Sequence, residues 1–439
     1  DCNTRKQHGL LVIPIKEFGN TSHVMLSSMD VTVIQHGAPF NLDLHRYQGG
    51  VYSHQGHKYI REYDCESVPR TTYRVGGVIL TKEKIFISHE NRLLIRYTLV
   101  EAHSPTMLRL RPHLAFREAN ALVQANDKLN PECPECANGV SACLYPGYPR
   151  LYMQFNHRPE WHYEPNWYNG FEYVKDMERG VPYVEDLWVP GYFDIPIKKG
   201  ESIIFSAGVS EIQPRQLSKM YEREIASRTC RSSFFNCLKN AVKQCYIKED
   251  DKMYLISGFP WGKILARNTF MALPGATIAI DHKDDYHAIM ATAAELERFM
   301  ATGETVGNRI AGIDLPDIPL WTLWALQQYA RSYGYEETRE RYLGLVAGLV
   351  DYVAEGRHPN LFIDERGMLS TDGSVTPVSW MNAALDGKPV VARSGYLVEF
   401  NALWYNALVF ASKLVEEVPE MAEAAGRWTA LAEKLKPAF

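Results

Sequence analysis

The hydrophobic period changes near residue 215, and no other feature of the chain restricts its fold as strongly. Before that point, short runs rich in β-branched and aromatic residues alternate with Gly, Pro and Asn turns, at 10–15, 31–34, 84–88, 92–100, 107–111, 151–155 and 202–207. In TMLRLR and RLYMQF, apolar and polar residues alternate, as in strands with one wet face. A long series of such strands implies antiparallel sheets packed as a sandwich. Beyond residue 216 the period becomes helical, with helices expected over 216–227, 231–246, 264–279, 285–301, 318–333, 337–356, 397–415 and 420–435. Helices pairing in sequence, with a long connection at 357–396, imply an α/α toroid whose loops form a pocket at one end. A connection that long is expected to be functional.

With 439 residues and a net charge of −5, the chain is not built to hold nucleic acid or an anionic membrane surface as its main partner. No apolar run approaches the ~20 residues needed to span a bilayer. The chain opens without Met on DCNTRKQHGLLVIPI, so residues are expected to precede Asp1. The eight cysteines are scattered. CPEC at 133–136 has no second pair at zinc-finger spacing, so reduced thiols in a cytoplasmic protein are expected rather than a structural zinc. There is no P-loop, no GxGxxG opening a helix, no GxSxG and no HExxH. Neither a cofactor nor a metal site is expected.

Four stretches could carry chemistry. GFPWGKILARNTFMALPG offers the flat faces of Phe259 and Trp261 beside Arg267 and Asn268, a set that suits a sugar ring with its apolar faces and polar rim. In LPDIPLWTLWALQQY, Asp317 stands where it could cap the helix that begins near Pro319, or touch a ligand, and Trp321 follows. In VSWMNAALDGKPVVARSGYLVEFNALWYNAL, a loop bearing Trp380, Asn382 and Arg393 leads into an almost wholly apolar helix. Glu399 lies in that helix with Asn401, Trp404, Tyr405 and Asn406, and Glu399 and Asn406, seven apart, share a face. A buried glutamate is expected to be paired or to have a task, and pairing with an arginine is the plainer of the two readings. The fourth stretch, HRPEWHYEPNWYNGFEY, fits the packed edge of a sandwich better than a sugar-facing loop. NTRKQHGL, just before the first strand, concentrates polar groups without a readable chemistry.

These motifs resemble those of the bacterial and archaeal glycogen debranching enzymes of the amylo-α-1,6-glucosidase type. NTRKQHGLL is similar to that family's NTRKYHGLL, with Gln7 for tyrosine, and LSSMDVTV to its LSSLDETV, with Val31 for glutamate. HRYQGGVYSHQG and LRLRPHLAFREANAL follow the same domain. FPWGKILARNTFMALPG is similar to a PWF…GRDTFIALPG pattern, and DIPLW and VEFNALWYNAL are close matches. The resemblance covers essentially the whole chain.

It implies a β-sandwich over 1–215, a helical linker and first toroid helix over 216–247, and an (α/α)6 glucosidase domain over 248–439, incomplete at its C-terminus. It also implies inverting hydrolysis of α-1,6-linked glucose at branch points of glycogen or another branched α-glucan. Inversion needs two carboxyl groups roughly 6.5–9.5 Å apart. The family has aspartate in GRDT and in TWMD, where this chain has Asn268 and Asn382. The general-acid position falls on Asn382, which can hydrogen-bond a glycosidic oxygen but has no acidic proton. The base is expected beyond Phe439, since about seven of the twelve toroid helices are counted.

Phe259, Trp261, Arg267, Asp317, Trp380, Glu399 and Trp404 are expected to converge on one glucose-binding cavity. The asparagines favour an alternative: a relative that binds α-glucan without cleaving it. A toroidal disaccharide hydrolase or phosphorylase is a third reading, and for the phosphorylase the chain offers no obvious phosphate-binding cluster.

Overall fold

In the computed structural model, residues 3–249, 252–260, 262–305 and 309–439 are described. They form two compact units, Asp1–Asn236 and Cys237–Phe439.

The first unit is an antiparallel sandwich of two sheets. One runs in the order Leu11–Ile15, Thr21–Gln35, Thr106–Glu118, Val184–Ile197, Glu160–Glu172, His45–Tyr47, Val51–Ser53, with Ala38–Asn41 also paired to Thr21–Gln35. The other runs Glu135–Cys136, Gly139–Ala142, Leu151–Phe155, Ser202–Gly208, Arg92–Glu101, Val78–Phe86, Arg70–Val75, Ile60–Asp64. Alternate residues of the long strands point between the sheets. Val31, Val33, Leu108, Leu110, Ile95, Tyr97, Phe193 and Phe205 belong to the core so formed. The aromatic-rich HRPEWHYEPNWYNGFEY is mostly a strand of the first sheet. Trp161 packs on Phe193 at 4.5 Å and Trp167 on Trp188 at 5.4 Å, as sandwich packing requires.

Numbering the helices along the chain, α1 is Val174–Glu178 and α2 is Leu217–Ser227. The α2 residues Leu217 and Tyr221 pack with Ile85, Leu94 and Ile204, so this segment completes the first unit. Phe234–Lys243 is α3, and a hairpin of Tyr246–Glu249 and Lys252–Leu255 follows, where helix was expected through 246.

The second unit carries α4 (Ala266–Ala276), α5 (Lys283–Met290), α6 (Ala293–Thr302), α7 (Ile318–Tyr333), α8 (Tyr335–Ala354), α9 (Val398–Leu414) and α10 (Ala422–Ala438). The single helix expected over 285–301 is two, α5 and α6. Between them, Thr292 Oγ1 donates to the Ile289 carbonyl at 2.7 Å, an alternative partner for a backbone group at the break. Similarly, Thr277 Oγ1 donates to Leu273 O at 2.6 Å where α4 ends, short of the expected 279.

Only Gly334 separates α7 from α8, at φ 95° and ψ 156°, a conformation that glycine alone adopts without strain. The start of α8 meets the end of α9: Arg339 donates to Leu414 O at 3.3 Å, and Tyr335 packs on Phe410. Both α7 and α9 are therefore antiparallel to α8 and run the same way. Two amide bonds join them, Gln327 Nε2 to Asn406 Oδ1 at 2.9 Å and Asn406 Nδ2 to Gln327 Oε1 at 2.8 Å. The chain entering α4 lies parallel to the chain that leads to α7, bridged at Leu265 and Ala311. Hence α4, α7 and α9 begin at one end of this unit.

Candidate active site

Each of those three helix starts carries a predicted site residue. Arg267 is the second residue of α4, Asp317 immediately precedes α7, and Glu399 is the second residue of α9. The parallel bridge at Leu265 and Ala311 brings the first two together. Arg267 Nε donates to Asp317 Oδ2 at 2.5 Å and Nη2 to Oδ1 at 3.0 Å. Asp317 is 1% exposed and makes no capping bond to α7, so its carboxylate serves the arginine instead. Burial pushes its pKa up, while hydrogen bonds and charge from Arg267 draw it back. A bidentate fork engaging both oxygens fixes the two helix starts to one another. Trp321, half-buried one turn into α7, stands edge-on to Trp324 at 5.7 Å, and Asn268 is exposed beside Arg267.

The expectation of a deeply buried Glu399 in mid-helix is corrected. RSGYL is irregular, with Gly395 at φ 88°, and the helix starts only at Val398, which leaves Glu399 in its first turn with 23% of its side chain exposed. Arg393 clamps it, Nη1 lying 2.8 Å from Oε1 and Nη2 donating to Oε2 at 2.9 Å. Asn406 does not join it, being bonded to Gln327.

The connection 357–396 is tied at its base and open at its tip. Thr371 and Gly395 exchange backbone bonds of 3.1 and 2.8 Å, and Asn360 Nδ2 donates to Asp372 O at 2.8 Å. Beyond that base, Trp380 and Asn382 are exposed, with the Asn382 amide donating to Trp380 O at 3.0 Å.

Two predicted sugar contacts fall in the core instead. Asn401 is 1% exposed: its Oδ1 accepts from Leu369 N at 2.8 Å, and Nδ2 donates to Leu369 O and Leu397 O. Trp404 has no exposed surface and packs in the helical core, so it has no face left for a ligand. Tyr405 is half-buried against the same core, and Phe259 is 59% exposed. Trp261 lies outside the described residues.

Sequence reasoning missed a group in the sandwich. Asp30, His45 and His113, each inside a motif quoted above, place one ligand atom apiece within 4.8 Å of one another. No periodicity signals such a cluster: Asp30 and His113 fall in the polar phase of their strands, alternating with the core residues Val31, Leu108 and Leu110.

Two family models match the chain: glycogen debranching enzyme N terminal over residues 1–204, and amylo-alpha-1,6-glucosidase over residues 236–439. No curated protein matches it at a significant level. Among solved structures, a bacterial glucoamylase complexed with acarbose is similar at 11% identity and a TM-score of 0.47, over 99% of this chain and 65% of that one. A polysaccharide lyase is similar at 8% identity and a TM-score of 0.21, over 94% of this chain and 75% of that one. The chain therefore spans less than two thirds of the glucoamylase, and neither likeness bears on activity.

Proposed function

The chain belongs to the glycogen debranching enzyme family, its two domain models matched one after the other, and on that premise we propose that it is an inverting glycoside hydrolase acting on α-1,6-linked glucose at branch points of glycogen or a related α-glucan. The observation that carries this reading is the common end of α4, α7 and α9. Three helix starts lie there, two of them joined by the Arg267–Asp317 pair and the third carrying the Arg393–Glu399 pair. Trp321, Trp380 and Phe259 supply flat faces for pyranose rings. Asn268 and Asn382 supply amides for hydroxyls and for the glycosidic oxygen. Arg267 and Asp317 act as positioning residues that lock two of the helix starts. Glu399, held by Arg393, is the carboxylate assigned to sugar hydroxyls or to the attacking water.

Among the described residues, no helix is long and apolar enough to cross a membrane. The seven described cysteines are free thiols, which fits the cytoplasmic location included in this proposal.

Asn382 favours a second reading, in which the chain binds branched glucan without cleaving it. The test is glucose release from a limit dextrin, alongside oligosaccharide binding, for the chain itself and for Asn382→Asp and Asn268→Asp. Gain of roughly 10²–10⁴-fold with Asn382→Asp assigns residue 382 as the acid position. Full activity with asparagine removes that role from 382. Binding without release from any form, in a chain extended past Phe439 to supply the expected base, establishes the second reading, and an extended chain that neither binds nor cleaves overturns both.

A further inference from the structure

We propose that Asp30, His45 and His113 bind a divalent transition-metal ion on the first sheet of the sandwich, Zn²⁺ by the chemistry of the donor set. The strands place these residues together although the sequence separates them. Thr21–Gln35 and Thr106–Glu118 pair with Asp30 opposite Arg111 and Ser28 opposite His113. Asp30 and His113 are thus diagonal neighbours on one face. Leu42 N donates to Val31 O at 2.8 Å, which carries the following residues back past Asp30 and sets His45 over it. His45 Nε2 lies 2.7 Å from Asp30 Oδ1, and His113 Nε2 lies 3.8 Å from Asp30 Oδ2. One carboxylate therefore sits between two imidazoles, each facing a different oxygen. Zn–N and Zn–O bonds of about 2.0–2.2 Å ask donor atoms to stand roughly 3.3 Å apart around a tetrahedral ion. Small side-chain rotations bring a set already within 4.8 Å to that spacing.

Hydrogen bonding alone does not explain the third member. The Asp30–His45 bond satisfies two of the three groups. His113 has no exposed surface, and neither of its ring nitrogens makes a hydrogen bond. An imidazole sealed in that way lacks a partner that a metal would supply.

The ring is walled by Tyr168 at 5.3 Å, His45 at 5.4 Å and Phe171 at 5.6 Å, which fix its orientation toward Asp30. Charge points the same way. Asp43 is a second carboxylate nearby, its Oδ2 paired with His54 and its Oδ1 buried and unbonded. A cation relieves both carboxylates. Two imidazole nitrogens and a carboxylate oxygen are borderline donors that suit zinc, with the fourth position left to water. In this place the ion would tie two strands to the segment that follows Asn41.

The full chain, stripped with a chelator, is titrated with Zn²⁺ against a chromophoric chelator and with Co²⁺ by visible absorption. The expected result is saturation at a single equivalent, tetrahedral Co²⁺ bands with nitrogen and oxygen donors, and a raised Tm. His113→Ala and Asp30→Asn should each weaken binding by roughly 100-fold or more. A Cys133→Ser/Cys136→Ser double variant should bind normally, since burial pushes both thiols up to about 12. Absence of stoichiometric binding by the unmodified chain overturns the proposal, whatever the variants do. So does binding that survives in folded His113→Ala or disappears with the two cysteines.

Discussion

Arg117 and Glu185 in the sandwich meet from 68 residues apart, with 3% and 0% of their side chains exposed. Arg393 and Glu399 in the helical unit meet from six residues apart, with 18% and 23% exposed. The first pair is also bonded to Tyr173 and to the Arg5 and Ala119 carbonyls, so it knots several segments inside protein. The second closes the end of one loop on the first turn of one helix. Both are Arg–Glu pairs of similar geometry, yet burial gives them different tasks. A sealed pair specifies how distant strands meet; a half-open one holds a carboxylate where a ligand can reach it.

The largest expected effect tests that contrast directly. Arg117→Met leaves Glu185 charged and uncompensated, and should destabilise the sandwich by about 3–5 kcal/mol. Arg393→Met should cost the helical unit less than about 1 kcal/mol. Urea unfolding followed by circular dichroism measures both, and equal costs would break the comparison.

Next in size is a pH effect within the helical unit. His358 is 3% exposed, with Nε2 facing Asp314 O at 3.2 Å and Nδ1 accepting from Asn360 N at 3.0 Å. Burial lowers its pKa from 6.5 to about 4. The fold thus favours the neutral ring. That contribution is fully present above pH 6.5 and is lost as the pH falls toward 4, by up to roughly 3 kcal/mol at 1.36 per pKa unit. Amide exchange in peptides around Tyr352–Leu361 should accelerate over that window, and His358→Asn should flatten the response. An unchanged pH slope in the variant would assign the effect to other groups.

Asn401→Ala should follow. It removes three side-chain bonds to buried backbone and should cost about 1–3 kcal/mol, read as faster exchange near Leu369, without a specific loss of glucan binding. A selective loss of binding would return Asn401 to the site. The smallest effect on folding should come from Trp380→Ala, within about 0.5 kcal/mol, because the ring is 55% exposed. Its effect should appear as weaker binding of branched oligosaccharide by titration calorimetry. Unchanged binding with unchanged stability would remove Trp380 from the site.

Much of this was legible in the residues. Alternation in TMLRLR and RLYMQF gave strands, because a sheet face repeats every second residue. The apolar heptad-like spacing of IPLWTLWALQQY gave α7 from its first residue. The site was legible as a set of residue types, but not as an arrangement. Asn401 and Trp404 look like sugar contacts in sequence and are core groups in the fold, since a helix period states which residues share a face and not what that face meets. Asp317 looked like a cap, and a neighbouring chain segment turned it into the partner of Arg267.

The chain by itself determined the change from sandwich to helices near residue 215, the family and the polar groups available for chemistry. Those are local or compositional properties, set by side-chain volume, period and identity. Tertiary structure alone decided which polar groups are sealed and which stay open. It set α4, α7 and α9 to begin at one end and left Trp380 outside while Trp404 is covered. It also brought Asp30, His45 and His113 within reach of a single ion. Burial and distance between remote residues are properties of the packed chain, and electrostatics follows them, because a charge is strengthened or neutralised by what surrounds it in space.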